Sequence, residues 1–108
     1  MKEISYNKLV RDNIIDQIKS TGKTANYKIL NNDEFLKELN QKLLEEINEF
    51  MESNAIEELA DVFEVILKII DVNKISLKEI EKVRKNRKRE DGGFEKKIYL
   101  INVIENRE

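Results

Sequence analysis

Apolar residues recur at helical spacing along most of the chain, and their pattern predicts a mainly α fold with four helices. The expected ranges are Lys8–Ser20, Glu34–Glu52, Ala55–Val72, and a fourth helix that opens at the Ser76-x-x-Glu79 capping box and ends at Asp91-Gly92-Gly93. Asn31 to Asp33 should form a turn and helix N-cap before the second helix. The second helix has one apolar stripe, which consists of Leu36, Leu39, Leu43, Ile47 and Phe50. The third helix is apolar over a wider arc, with Ile56, Leu59, Phe63, Ile66, Leu67 and Ile70 on one side and Val65, Ile69 and Val72 on another.

Two further segments do not show helical spacing. Thr24–Leu30 is too short for a helix with a buried stripe, so an extended segment or a short strand is expected there. Phe94–Ile104 alternates partially and is rich in Ile, Val and Tyr, which is typical of a strand. The two segments could pair, although a sheet of only two strands is weak.

Four acidic residues lie symmetrically about the turn at Ser53-Asn54. They are Glu46 and Glu49 before the turn, and Glu58 and Asp61 after it. If the flanking helices fold back antiparallel, each acid before the turn lies level with one after it, at a rise of about 1.5 Å per residue. On the third helix, Glu58 falls within the apolar arc and Asp61 at its margin, where a carboxylate is costly to desolvate.

Carboxylates that converge in this way need a cation, because like charges at close range would otherwise force some of them to protonate. A set of oxygen ligands without His or Cys suits Mg²⁺ or Mn²⁺. The alternative is that Glu45 and Glu46 are ordinary solvated surface and that Asn54 and Glu57 form a capping box. Capping does not explain Asp61, which lies two turns into the helix.

Length and composition restrict the possible functions. The 108 residues contain no Pro- or Gly-rich break, so one domain spanning 1–108 is expected. Charged residues make up 39% of the chain, but the net charge is only −2, which does not favour a nucleic-acid binder. There is no Cys or His, so any catalysis must use other groups or a metal. No signal peptide or membrane-spanning run is visible, and a soluble cytoplasmic protein without membrane partners is expected.

Basic residues occur near both ends. Lys8 and Arg11 lie near the start of the first predicted helix, where ordinary surface charge and phosphate binding are equally good interpretations. Five basic residues lie between positions 84 and 89 of the fourth helix. This basic run has three interpretations: a solvated helix face, a nucleic-acid patch, or a cradle for a polyphosphate that enters with a metal.

The acid motifs resemble those of a known superfamily. Glu45-Glu46-x-x-Glu49 followed by Glu58-x-x-Asp61 is similar to the EExxE and ExxD signature of the MazG-like, all-α nucleoside triphosphate pyrophosphohydrolases, which include phosphoribosyl-ATP pyrophosphohydrolase. The opening Tyr6–Asp12 and the later Gly92-Gly93-Phe94 also resemble a small single-domain branch of it. The resemblance covers nearly the whole chain.

This resemblance implies hydrolysis between the α- and β-phosphates of a nucleotide, with release of a monophosphate and pyrophosphate. It implies Mg²⁺, or Mn²⁺, held by Glu46, Glu49, Glu58 and Asp61, while Glu45 and Glu49 act on the attacking water. Phosphate contacts would come from Lys8, Arg11, Lys85 and Arg89. The resemblance also implies a homodimer or homotetramer. It does not indicate which base or sugar the substrate carries.

Two other functions remain open. A helical interaction module without enzymatic activity would use the apolar arc and the basic helix to hold a partner. A helical nucleic-acid-binding protein would depend on the basic run, although the near-neutral charge balance makes nucleic acid an unlikely partner.

Overall fold

A computed structural model describes residues 2–107 and contains four α-helices within them. They are α1 (Ile14–Ser20), α2 (Asn32–Ser53), α3 (Ile56–Val72) and α4 (Leu77–Asp91). The described residues contain no β-strand. The mainly α prediction is confirmed, and the bounds of α2 and α3 agree with the predicted ranges to within two residues.

The ends of α2 are defined by asparagines. Asn31 caps the N-terminus: its side chain accepts a hydrogen bond from the Glu34 N–H at 2.9 Å, and the Glu34 carboxylate accepts one from the Asn31 N–H at 3.4 Å. Asn54 ends the helix in the left-handed conformation with φ 54°, and its N–H donates to the Phe50 carbonyl at 2.8 Å. A residue in this conformation stops a helix because it cannot continue the α-helical turn.

Only Asn54 and Ala55 separate α2 from α3, and the two helices pack against each other. They therefore form a helical hairpin, which is the arrangement on which the expected meeting of the acids depended. The predicted capping box between Asn54 and Glu57 is wrong. Asn54 serves the end of α2 instead, and Ala55, which has no side-chain acceptor, occupies the N-cap of α3.

The buried apolar side chains of the described residues come from this hairpin. They are Leu39 on α2 and Val62 and Val65 on α3. The apolar residues of the α2 stripe are half-buried or buried, whereas several of the α3 arc, including Phe63 at 61% exposure, face solvent. The hairpin therefore leaves part of its apolar surface uncovered.

The predicted start of the first helix is wrong by six residues. Residues 8–13 precede α1 and are not helical, and the Ile14 N–H donates to the Arg11 carbonyl in a turn. Leu9 and Val10 are half-buried without helix formation, and Arg11 reaches across to Asp61 on α3. Tertiary contacts therefore hold this segment in a non-helical conformation, although the spacing of its apolar residues alone would suit a helix.

Both predicted strands are absent, and the two-stranded element is a wrong prediction. Residues 24–30 lie between α1 and α2 outside any regular element, as the extended alternative for this segment allowed. Residues 94–97 form a turn in which the Lys97 N–H donates to the Phe94 carbonyl at 3.2 Å, and the residues after it are not paired. Alternation describes a side-chain pattern, but a strand also needs a partner for its backbone.

The chain divides into two compact units, Met1–Ile75 and Ser76–Glu108. The second unit contains α4, whose N-cap is confirmed because the Ser76 hydroxyl accepts a hydrogen bond from the Glu79 N–H at 3.3 Å. The return bond from the Ser76 N–H to the Glu79 carboxylate, which a full capping box also has, is not among the hydrogen bonds of the described residues. Gly92, with φ 87°, follows the helix and donates to the Lys88 carbonyl. That residues 1–108 make one domain stays a prediction. Within residues 2–107, the helices are too short or too polar to cross a bilayer.

Candidate metal centre

Three of the predicted acids meet across the helical hairpin. Glu46 on α2 and Glu58 and Asp61 on α3 each offer a carboxylate oxygen, and these oxygens all lie within 4.8 Å of one another. Glu46 borders the apolar stripe of α2 and is only 9% exposed, and the other two are half-buried. Facing helices thus bring together carboxylates that are 12 and 15 residues apart in the chain.

Glu46 is the most constrained member of this acid cluster. Its Oε1 lies 3.4 Å from the Lys42 Nζ one turn earlier on α2. Its Oε2 is buried and has no hydrogen-bond partner among the described residues. A buried oxygen without a donor is unfavourable, because it has lost water and gained nothing in return. A cation placed between the three carboxylates would satisfy this atom.

The pKa of Glu46 is raised above the usual carboxyl value. Burial is the largest cause, and the negative charge of Glu49 is the next. Lys42 opposes the shift through its hydrogen bond and its charge, and Asp61 adds a smaller repulsion. The site therefore disfavours the charged form of Glu46 when no further cation is present.

Two cations of the chain lie at the cluster. The Arg11 Nη2 is 2.8 Å from the Asp61 Oδ1, in a pair whose side chains are both partly exposed. Lys42 is largely covered, with 17% of its side chain exposed, beside Glu46. Three carboxylates thus have two basic side chains next to them, and the cluster retains an excess of negative charge.

Two of the predicted acids lie outside this group. Glu49 is exposed, and it is not among the residues whose oxygens meet within 4.8 Å. Its charge nevertheless acts on Glu46, one turn away. Glu45 is half-buried and also outside the group. The convergence expected of four carboxylates is therefore observed for three of them.

The predicted phosphate contacts are spread along the chain. Arg11 lies at the acid cluster, paired with Asp61. Lys8 is exposed, with its Nζ 5.9 Å from the centre of the Tyr6 ring. Lys85 and Arg89 are exposed on α4, where the Arg89 Nη1 donates to the Asn86 Oδ1 at 3.0 Å. Of the two basic residues in the first unit, Lys8 and Arg11, it is Arg11 that contacts the acid cluster.

Sequence reasoning did not identify Lys42 as part of the site. The signal was present, because a lysine four residues before a glutamate faces it on the same side of a helix. The contact between Arg11 and Asp61 had no such signal, since 50 residues separate the two. The donor chemistry of the cluster, three carboxylates without nitrogen or sulfur, is the kind that binds Mg²⁺ or Mn²⁺.

Searches of the chain against protein-family models, curated proteins and solved structures found no match.

Proposed function

We propose that this chain is a Mg²⁺-dependent nucleotide pyrophosphohydrolase of the MazG-like, all-α superfamily. It would cleave between the α- and β-phosphates of a nucleoside triphosphate or related nucleotide and release a monophosphate and pyrophosphate. The observation that carries the proposal is the acid cluster of Glu46, Glu58 and Asp61, in which a buried carboxylate oxygen has no partner. The type of reaction is proposed from the resemblance of the acid motifs to those of the superfamily.

The residues of the cluster fit a hard divalent cation. All three offer oxygen, and they come from two helices that pack together, so the donors are held in place before an ion arrives. Glu46, Glu58 and Asp61 would hold Mg²⁺, with Glu49 as a further ligand from the exposed edge of α2. When bound, Mg²⁺ would neutralise phosphate oxygens and lower the pKa of a bound water.

Glu45 and Glu49 would act on the attacking water, in the case of Glu49 in addition to its role as a metal ligand. Glu45 and Glu49 lie beside Glu46 on α2, and we assign them to orienting the attacking water and accepting its proton. A carboxylate can serve as general base where it is close to the water and partly desolvated. This assignment requires no histidine, which the chain lacks.

Arg11 would bind a phosphate of the substrate. Its guanidinium lies at Asp61, so a phosphate beside a cation held by Asp61 would be within its reach. Lys8, in the same N-terminal segment, and Lys85 and Arg89 on α4 are assigned to phosphate binding from the resemblance alone.

The proposal includes association into a homodimer or homotetramer. Ile56, Leu59, Phe63 and Ile66 on α3 are exposed apolar side chains, and an uncovered apolar surface of this kind favours contact with another molecule. The same surface is the observation that favours the second candidate, a helical interaction module without catalytic activity.

A hydrolysis assay with matched variants tests the proposal. The protein is incubated with Mg²⁺ and a panel of canonical and modified nucleoside triphosphates and phosphoribosyl-ATP, and pyrophosphate release is measured. We expect Asp61→Asn and Glu46→Gln each to lower the rate by about a hundredfold or more, because each removes a charged ligand. Asp71→Asn removes an exposed carboxylate that pairs with Lys68 on the same helix and should retain the activity.

Two results would contradict the proposal. One is the absence of pyrophosphate release from every nucleotide in the presence of Mg²⁺ or Mn²⁺, which would favour the interaction module. The other is equal activity of Asp61→Asn and Asp71→Asn, which would exclude the acid cluster as the site.

A further inference from the structure

The segment of residues 98–104, here called the C-terminal apolar segment, is uncovered. Its six large apolar side chains are each 73% exposed or more: Ile98, Tyr99, Leu100, Ile101, Val103 and Ile104. Among the described residues, no backbone hydrogen bond involves positions 98–107. A run of apolar side chains with a free backbone is a template for pairing with another strand.

We propose that this segment is an interaction surface for a second copy of the chain, on which the two segments pair as antiparallel strands about a twofold axis at Ile101. The proposal goes beyond the nucleotide chemistry and does not depend on it. The second copy would cover the apolar side chains of the C-terminal apolar segment, which are exposed in the described chain.

The composition of the segment suits a strand. Ile, Val and Tyr are favoured in strands, and the chain contains no proline that would interrupt pairing. In an extended conformation, Tyr99, Ile101 and Val103 share one face, which is entirely apolar. In a symmetric pair of such strands, the two copies of this face lie side by side on the same side of the ladder.

Pairing about Ile101 matches all but one of the positions outward from the axis with a suitable partner; the exception is Leu100, which lies opposite Asn102. Tyr99 lies opposite Val103 of the second copy, and Ile98 lies opposite Ile104. Lys97 ends the turn of residues 94–97 with φ 54°. Once its backbone becomes extended on pairing, Lys97 lies opposite Glu105 at the end of the ladder, so that opposite charges meet twice in the dimer. Apolar and opposite-charge pairs directly across a ladder are stabilising.

Other registers are less favourable. An axis at Leu100 would place Lys97 opposite Val103 and leave it without an opposite charge, and an axis at Asn102 would place Lys97 opposite Arg107. Parallel pairing in register would align Lys97 with Lys97. Like charges directly opposite each other are destabilising, so charge selects both the antiparallel direction and the axis at Ile101.

Single-cysteine variants test this register, because the natural chain has no cysteine to interfere. Residues directly opposite in an antiparallel ladder have Cα atoms about 4.5 to 5.5 Å apart, which suits a disulfide. Under mild oxidation, Ile101→Cys should therefore form a covalent dimer with itself. Ile98→Cys and Ile104→Cys should cross-link to each other when mixed and much less when alone.

Ile29→Cys is the matched control, because Ile29 is 87% exposed and Ile101 is 85% exposed. Equal yields of dimer from the two variants would show random collision and overturn the proposal. A higher yield from a mixture of Ile29→Cys and Ile101→Cys than from Ile101→Cys alone would also overturn it, because the partner would then be residues 24–30.

A charge exchange gives a second test by sedimentation. A two-stranded ladder is only marginally stable by itself, so association is measured from about 1 µM to about 1 mM protein. Lys97→Glu and Glu105→Lys should each weaken the dimer by about tenfold, and the double variant should restore it. Circular dichroism checks that each variant keeps its helices. A monomer at all concentrations, or single variants that associate like the wild type, would overturn the proposal.

Discussion

At the scale of single residues, the acid cluster combines one buried carboxylate with two that are more accessible. Glu46 is held beside the apolar stripe of α2, while Asp61 remains open enough to pair with Arg11. The contact between Asp61 and Arg11 and the contact between Glu46 and Lys42 compensate part of the charge that a divalent ion would neutralise. The chain itself thus neutralises part of the charge of the cluster before any ion binds.

Arg11 should compete with the ion for Asp61. An exposed ion pair contributes about 0.2 to 1 kcal/mol, so Arg11→Gln should strengthen Mn²⁺ binding by a factor of about 1.4 to 5. Isothermal titration calorimetry without nucleotide measures this affinity. Arg84→Gln is the control, because it removes the same charge from an equally short exposed pair with Glu81. Weaker Mn²⁺ binding to Arg11→Gln than to the control would show that Arg11 does not compete.

Glu46 should make stability depend on pH when chelator removes divalent ions. Because the pKa of Glu46 is raised on folding, the folded protein binds the proton more tightly than the unfolded chain. The stabilisation by the neutral carboxyl is complete below the usual carboxyl pKa and is lost as the pH rises through the raised value. Glu46→Gln should therefore exceed the wild type in melting temperature near neutral pH.

That advantage should disappear in acid. Melting temperatures of both proteins with EDTA at about pH 4 and about pH 7.5 test this, since the first lies just below the usual pKa of a glutamate and the second well above it. Glu64→Gln removes an exposed carboxylate from α3 and serves as the control. If Glu46→Gln is less stable than the wild type near neutral pH, the ion-free cluster does not disfavour the charge of Glu46.

At the scale of elements, local signals define α2 and α4 well. A side chain caps the N-terminus of each, and a residue with positive φ follows each C-terminus: Asn54 after α2 and Gly92 after α4. Caps and apolar spacing act within a few residues, so they can be recognised without knowledge of the rest of the fold. The start of α1 has no side-chain cap, and its boundary was the one predicted wrongly.

Asn31→Ala should destabilise the helical hairpin by about 1 kcal/mol, because it removes the acceptor for the Glu34 N–H at the start of α2. Chemical denaturation followed by circular dichroism measures the change in the free energy of unfolding. Asn40→Ala, in the exposed middle of the same helix, is the control and should be neutral or slightly stabilising, since Ala favours a helix. An equal loss in both variants would show that the cap contributes nothing.

At the scale of the whole molecule, the described chain leaves many apolar residues exposed. Leu39, Val62 and Val65 are the buried apolar residues, whereas Phe63 on α3 and the C-terminal apolar segment face solvent. Burial of apolar surface is the main favourable contribution to folding and association, so these surfaces favour further contacts. The proposed oligomer and the proposed pairing about Ile101 would supply them.

The sequence by itself determined the elements whose signals are local. The spacing of apolar residues and the caps predicted α2, α3 and α4, and the turn at Ser53-Asn54 predicted a hairpin that carries acids on both helices. The meeting of Glu46 and Asp61 followed from helical geometry, because positions equally far from a tight turn lie level with each other. The same argument paired Glu58 with Glu49, and Glu58 instead joins Glu46 and Asp61.

Only the tertiary structure decided which groups lie beside these acids and which segments stay irregular. Arg11 contacts Asp61, which is 50 residues away in the sequence, and the segment that contains Arg11 is not helical. Residues 24–30 and 94–104 have the composition of strands, yet no partner in the described chain pairs with their backbones. Such contacts depend on where distant parts of the chain meet in space, and local spacing carries no information about that.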